Sequence, residues 1–190
     1  MNKTRNNAWH LRDVILLTLV AILTGVLYFG VVFLYNALSV ALTPLGLAPF
    51  GNDLILGLWT LAAPLAACLL QKIGSATIGE ILASAVEAIM GGQWGISTLI
   101  SGFIQGIGSE LGFTFTAYKR YDMVSLSLSA LTTTIVTFTW DLFQQGYAAY
   151  HLWMIIALFF TRLLSIWLFG ALLVHAVVKL LERSHMLRAE

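Results

Sequence analysis

The sequence predicts an all-α integral membrane protein: a bundle of six transmembrane helices forming one domain over residues 1–190, with both termini cytoplasmic. Three observations carry that expectation. Hydrophobic residues make up 59% of the chain and charged residues only 10%, with a mean hydropathy of +0.87, whereas soluble domains carry roughly a quarter charged residues. Apolar runs fall at about 14–35, 54–70, 77–90, 96–118, 124–143 and 153–178, and about 20 apolar residues are needed to cross a ~30 Å hydrocarbon core. Finally, of the 10 Lys and Arg, all but Arg162 lie at the ends or in alternate loops: Lys3, Arg5, Arg12, Lys72, Lys119, Arg120, Lys179, Arg183 and Arg188. The intervening loops, 36–52, 91–95 and 144–152, have none. The positive-inside rule therefore makes the loop around Trp94 extracytoplasmic in a multi-pass protein of the cell membrane.

Composition also excludes function classes. A formal net charge of +1 leaves no basic surplus for nucleic acid. The single cysteine, Cys68, rules out an intrachain disulfide or a cysteine metal cluster. His10, His151, His175 and His185 are scattered without ligand spacing on one helix, so neither a metal nor a cofactor is expected. There is no Walker glycine loop, no HExxH and no GxSxG, so the chain is not expected to hydrolyse ATP or to act as a metalloprotease or serine hydrolase.

Taken in order, the first run follows the basic start Met1–Arg5 and continues to about Tyr35 without a small-x-small cleavage site, so it reads as a retained span. Ala21 and Gly25 form a small-xxx-small pair that admits close helix approach, either inside the chain or to a partner subunit. Residues 36–52, with Pro44, Gly46, Pro49 and Gly51, read as a long apolar loop able to close over a site. The second span contains Pro64; the third is short and carries Glu80 and Glu87. The fourth contains Gly102-Phe-Ile-Gln-Gly106 and Gly108-Ser-Glu-Leu-Gly112, both close-packing GxxxG elements. In the fifth, Ser125, Ser129, Thr133, Thr137 and Asp141 recur every four residues as one polar ridge. The sixth holds Arg162.

Carboxylates in hydrocarbon are costly and mark candidate sites. At 1.5 Å per residue, Glu87 lies just below the outer end of its span and Glu80 about 10 Å deeper, while Gln105 and Glu110 lie about 14 and 21 Å below Ile96. Arg162, about 14 Å below Trp153, is within reach of Glu110 or Glu80, which together form the expected buried polar pairing. Glu87 and Asp141 have no obvious cation nearby and are read as available to a ligand. Trp59, Trp94, Trp140, Tyr147, Tyr150 and Trp153 offer aromatic faces at similar depth, and His151 faces the same entrance. Aromatic faces beside negative charge suit a cationic or aromatic small molecule, although Trp and Tyr at such depth also form ordinary lipid-interface belts.

Several segments together resemble a known family: Pro64-Leu-Ala-Ala, Lys72-Ile-Gly-Ser-Ala, Glu80, Glu87, Gln93-Trp94-Gly95, the block from Gly102 to Phe113, and Tyr118-Lys-Arg-Tyr121. They are similar to the YkoE group of energy-coupling factor (ECF) transporters, over roughly Leu54 to His175. The resemblance implies a substrate-binding S component for thiamine or its hydroxymethylpyrimidine precursor, working with a transmembrane coupling subunit and cytoplasmic ABC ATPases. It further implies that Ala21 and Gly25 contact the coupling subunit. Lys72-Ile73-Gly74 departs from the Lys-Pro-Gly common in the group. In such a site Glu87 would accept from the aminopyrimidine, Asp141 would face the thiazolium, Trp94 would stack, and Gln93 and Gln105 would add hydrogen bonds. Two alternatives remain: an S component for another vitamin, and a six-span intramembrane enzyme using Glu80, Glu110 and Arg162.

Overall fold

The computed structural model describes residues 8–184, and all regular structure among them is helical. Helix α1 (Leu11–Leu42) runs well past the predicted end at Tyr35, because neither Gly nor Pro interrupts the stretch from Asn36 to Leu42. The predicted loop 36–52 is therefore mostly helical: the end of α1, a 3-10 turn at Thr43–Leu45, and the short α2 (Ala48–Ile55). Pro44 and Pro49 sit in the first turns of these elements, where a missing N–H breaks no helical hydrogen bond. Gly46, at φ 69°, makes the reversal between them.

The second span starts earlier than expected and is broken. After α2 comes a 3-10 turn (Leu56–Leu58), and α3 (Ala62–Leu70) resumes the path. Then follow α4 (Ser75–Ile89), α5 (Ser97–Phe115), α6 (Met123–Gln144), a 3-10 turn (Tyr147–Ala149) and α7 (Leu152–Ile166). A π-helical segment (Trp167–Leu173) joins α7 to α8 (Val174–Arg183). Among the described residues four stretches are long and apolar enough to cross a membrane: Leu11–Leu45, Ala48–Leu70, Met123–Gln144 and Leu152–Arg183. With 15 residues, α4 is only about 22 Å long; it and the 19-residue α5 add two further helices.

Small residues determine how these helices meet. A Cβ on Gly25 would lie 2.7 Å from the Ala83 carbonyl, so α1 packs closely on α4. On α5, Gly102 abuts Ser84 and a Cβ on Gly106 would reach the Thr77 Cα at 2.9 Å, both on α4. The other GxxxG element faces α6: Gly108 abuts Thr133 and Gly112 the Ser129 backbone. The predicted ridge on α6 is buried throughout. Only part of it bonds between helices, since Ser129 meets Ser109 at 2.7 Å whereas Thr133 and Thr137 donate to carbonyls of their own helix. A threonine hydroxyl reaches the carbonyl one turn back more readily than a neighbouring helix.

One end of the bundle collects the cationic segments. Lys72 pairs with Asp13 at 3.5 Å and donates to the Ala8 carbonyl, tying the α3–α4 turn to the start of α1. Glu110 of α5 accepts from the Gly74 and Thr77 amides and the Tyr118 hydroxyl, so it caps α4 and anchors the α5–α6 turn. In that turn Arg120 bonds Asp122 and holds its carboxyl below the usual carboxylate range. Lys3, Arg5, His185 and Arg188 lie outside the described residues.

Two glycines test the packing account. Gly57→Ala would drive a Cβ into the Ser165 backbone and should lower stability by about 1 to 3 kcal/mol. Gly30 has nothing within 4 Å of its added Cβ, so Gly30→Ala should leave it unchanged or raise it slightly. Thermal unfolding of both variants in detergent checks the contrast.

Candidate ligand-binding site

The cavity lies at the end of the bundle away from the cationic segments. It is about 280 Å³ in volume and is lined from α1 by Tyr28, from the broken second span by Asn52, Leu56 and Trp59, and from α4 by Ser84 and Glu87. Trp94 covers it from the α4–α5 loop, Gln105 reaches it from α5, and Thr137, Trp140 and Asp141 complete it from α6. The α-helical pattern is interrupted between α2 and α3, and Leu56 and Trp59 of that interruption line the wall.

Three rings close one side. Tyr35, Trp59 and Trp94 pack mutually, with centroids 5.3 to 5.9 Å apart. The Trp59 indole N–H donates to the Tyr28 carbonyl at 3.2 Å. Trp94 is 39% exposed and sits on a loop with Gly91 and Gly95 at positive φ. Gln93, beside it, does not line the cavity; its Oε1 accepts from Asn36 of α1 at 3.1 Å and secures the loop.

The floor is a buried network. Tyr28 donates to Glu80 Oε1 at 2.8 Å and accepts from the Ala62 amide, while Glu80 Oε2 accepts from the Ala63 amide at 2.8 Å. In the amide orientation that suits its neighbours, Gln105 donates to the Trp59 carbonyl and to Glu80. Glu80 thus caps the start of α3. Glu87, about two helical turns above on α4, differs: it is 2% exposed, and its Oε1 has no hydrogen-bond partner among the described residues.

Asp141 is not the free carboxylate that the sequence led us to expect. Arg162, fully buried, donates from Nη2 to Asp141 Oδ2 at 2.7 Å and from Nε to Asp53 Oδ1 at 2.7 Å. Its guanidinium carbon also lies 5.1 Å from the Phe138 ring centroid and 5.8 Å from that of Tyr147. The expected pairing of Arg162 with Glu80 or Glu110 is therefore corrected, since both glutamates are engaged at helix starts. The partner of Arg162 is instead Asp53, which α2 carries into the interior.

The remaining expected residues separate. Tyr147 is buried against Phe138 and Tyr150 beside the arginine, His151 is an exposed N-cap of α7, and none of Tyr147, Tyr150 and His151 lines the cavity. Ala21 and Gly25 are buried inside the chain, with Gly25 against α4, so the expected contact with a coupling subunit does not fall on them. Sequence reasoning missed Tyr28 and Asn52. The three-to-four-residue spacing of Ala21, Gly25 and Tyr28 was the available signal for the first; Asn52 had none.

Comparisons with known proteins agree with this architecture. Residues 12–136 match the family model for the permease component of the ABC-type cobalt transport system. The chain is 30% identical over 170 residues to the putative HMP/thiamine permease protein YkoE of Bacillus subtilis (strain 168), covering 90% of this chain and 83% of that protein. It also superposes with a TM-score of 0.88, at 29% identity, on the crystal structure of an S-component of an ECF transporter, covering 95% of this chain and 89% of the other.

The arginine cluster gives a stability test. Arg162→Met strands Asp53, which has no exposure, and should cost about 3 to 5 kcal/mol. Asp141→Asn should cost less because that side chain reaches the cavity, and apparent melting temperatures in detergent order the two.

Proposed function

The chain belongs to the YkoE family of ECF transporter S components, and we propose that it captures thiamine or its hydroxymethylpyrimidine precursor from outside the cell for ATP-driven uptake. The observation that carries this reading is Glu87. A buried carboxylate oxygen without a donor costs about 1 to 3 kcal/mol or more, and here it lies on the wall of a cavity beside aromatic rings. A flat ring bearing an amino group supplies the missing donor and a face for Trp94 or Trp59 to meet. Gln105 and Ser84 add polar contacts, and the cavity suits a compact heterocycle.

In this reading the helices form a six-span bundle with both termini in the cytoplasm of a plasma-membrane protein. Arg12, Lys72, Lys119, Arg120, Lys179 and Arg183 favour that orientation, since the positive-inside rule places their end inward and the cavity outward. A separate coupling subunit and ABC ATPases would then reorient the loaded protein so that its ligand is released inside. The intramembrane enzyme alternative loses its centre: Glu80, Glu110 and Arg162 belong to three separate clusters with different partners.

Equilibrium binding to the purified protein in detergent, read by tryptophan fluorescence, tests the proposal. Thiamine or hydroxymethylpyrimidine should bind saturably. Glu87→Gln and Trp94→Ala should each weaken binding by roughly ten- to a hundredfold, the equivalent of about 1 to 3 kcal/mol. Folded protein that binds neither compound would overturn the assignment.

A further inference from the structure

We propose that Asp53, a residue that does not line the cavity, gives the cavity its preference for a cationic ligand. The inference rests on the reading of this cavity as the ligand site. Three buried charges meet beside it: Arg162 and Asp53 are fully buried, and Asp141 alone shows a partly exposed side chain on the cavity wall. The guanidinium stays charged at any accessible pH. Its Nε and Nη2 both donate to Asp53 Oδ1, and Nη2 also donates to Asp141 Oδ2.

The charge count decides what a ligand meets. Two carboxylates around one guanidinium leave a net charge of about −1 in the cluster. Without Asp53, Arg162 and Asp141 would form a neutral pair, and the wall at Asp141 would present no net attraction for a cation. Asp53 therefore neutralises the arginine from a buried position off the cavity wall and leaves Asp141 its charge toward the cavity. The arrangement is a matter of position: α2 carries Asp53 to the buried Nε–Nη2 edge of Arg162, off the cavity wall, while its neighbour Asn52 lines the cavity. No described Lys or Arg lines the cavity. A unit charge several ångströms away, in surroundings of low dielectric, is strong enough to discriminate between ligands of different charge.

Asp53 is thus a positioning and specificity-determining residue rather than a ligand contact. Thiamine carries a permanent thiazolium charge and the hydroxymethylpyrimidine is neutral, so the pair isolates the effect. The experiment is fluorescence titration of the purified full chain with each compound, in the parent, in Asp53→Asn and in Asp53→Asn/Arg162→Met. The single variant should lower the thiamine-to-pyrimidine affinity ratio on the order of tenfold. The double variant removes one charge of each sign, restores the net −1, and should return the ratio toward that of the parent. A purely structural role predicts instead that both ligands weaken equally and that the double variant is no better than the single. Either result overturns the inference and leaves the proposed function standing. A parent that binds neither compound overturns both. Melting temperatures report folding separately. If Asp53→Asn does not fold, the double variant decides alone: a parent-like ratio supports the proposal, and a tenfold lower ratio sinks it.

Discussion

Inside a bilayer every backbone N–H that loses its helical partner must find another acceptor within the protein. This constraint shapes the molecule. The second span is broken between α2 and α3, which frees the amides of Ala62 and Ala63; the Tyr28 hydroxyl and Glu80 accept them. The Gly57 amide, in the same break, donates to Ser165 on α7. At the other end of the bundle Glu110 does the same for Gly74 and Thr77 at the start of α4. Two of the carboxylates that mark this sequence as unusual thus stand at places where a helix begins inside the fold.

The break in turn makes room for the cavity. A straight helix from Ala48 to Leu70 would carry its side chains past the bundle in one continuous stripe. Interrupted, it holds Asp53 of α2 against Arg162 on one side of the break and Trp59 against Tyr35 and Trp94 within it. Glycines complete the arrangement, because α5 must approach both α4 and α6 for Gln105 to contact the Trp59 carbonyl and Glu80. Stability and binding geometry depend on the same few contacts.

What could be read from the sequence follows from the range of each interaction. The membrane class rests on composition, and the helix contacts of α5 on glycine spacing within one segment. Trp59, Glu87, Trp94 and Asp141 were expected near one another from their depth and Gln105 from the family resemblance, and all five line the cavity. Depth alone does not give direction, so Tyr147, Tyr150 and His151, at a similar level, point elsewhere. The pairing of Arg162 with Asp53 joins residues 109 apart in sequence, and nothing local announces it. Pro44, Gly46, Pro49 and Gly51 read as loop residues, yet prolines in a first turn allow a helix to start, and the helix so started carries Asp53 inward.

The π-helical segment between α7 and α8 has a further consequence. A widened turn holds an extra residue, and each residue of an α-helix rotates the chain by about 100°. Everything beyond Leu173 is therefore turned about the axis relative to a straight continuation of α7, and α8 meets α3 on a face set independently of the one that carries Arg162. The segment thus uncouples the two ends in register. A one-residue insertion or deletion there would re-aim the C-terminal end of the protein while leaving the arginine and its aspartates in register.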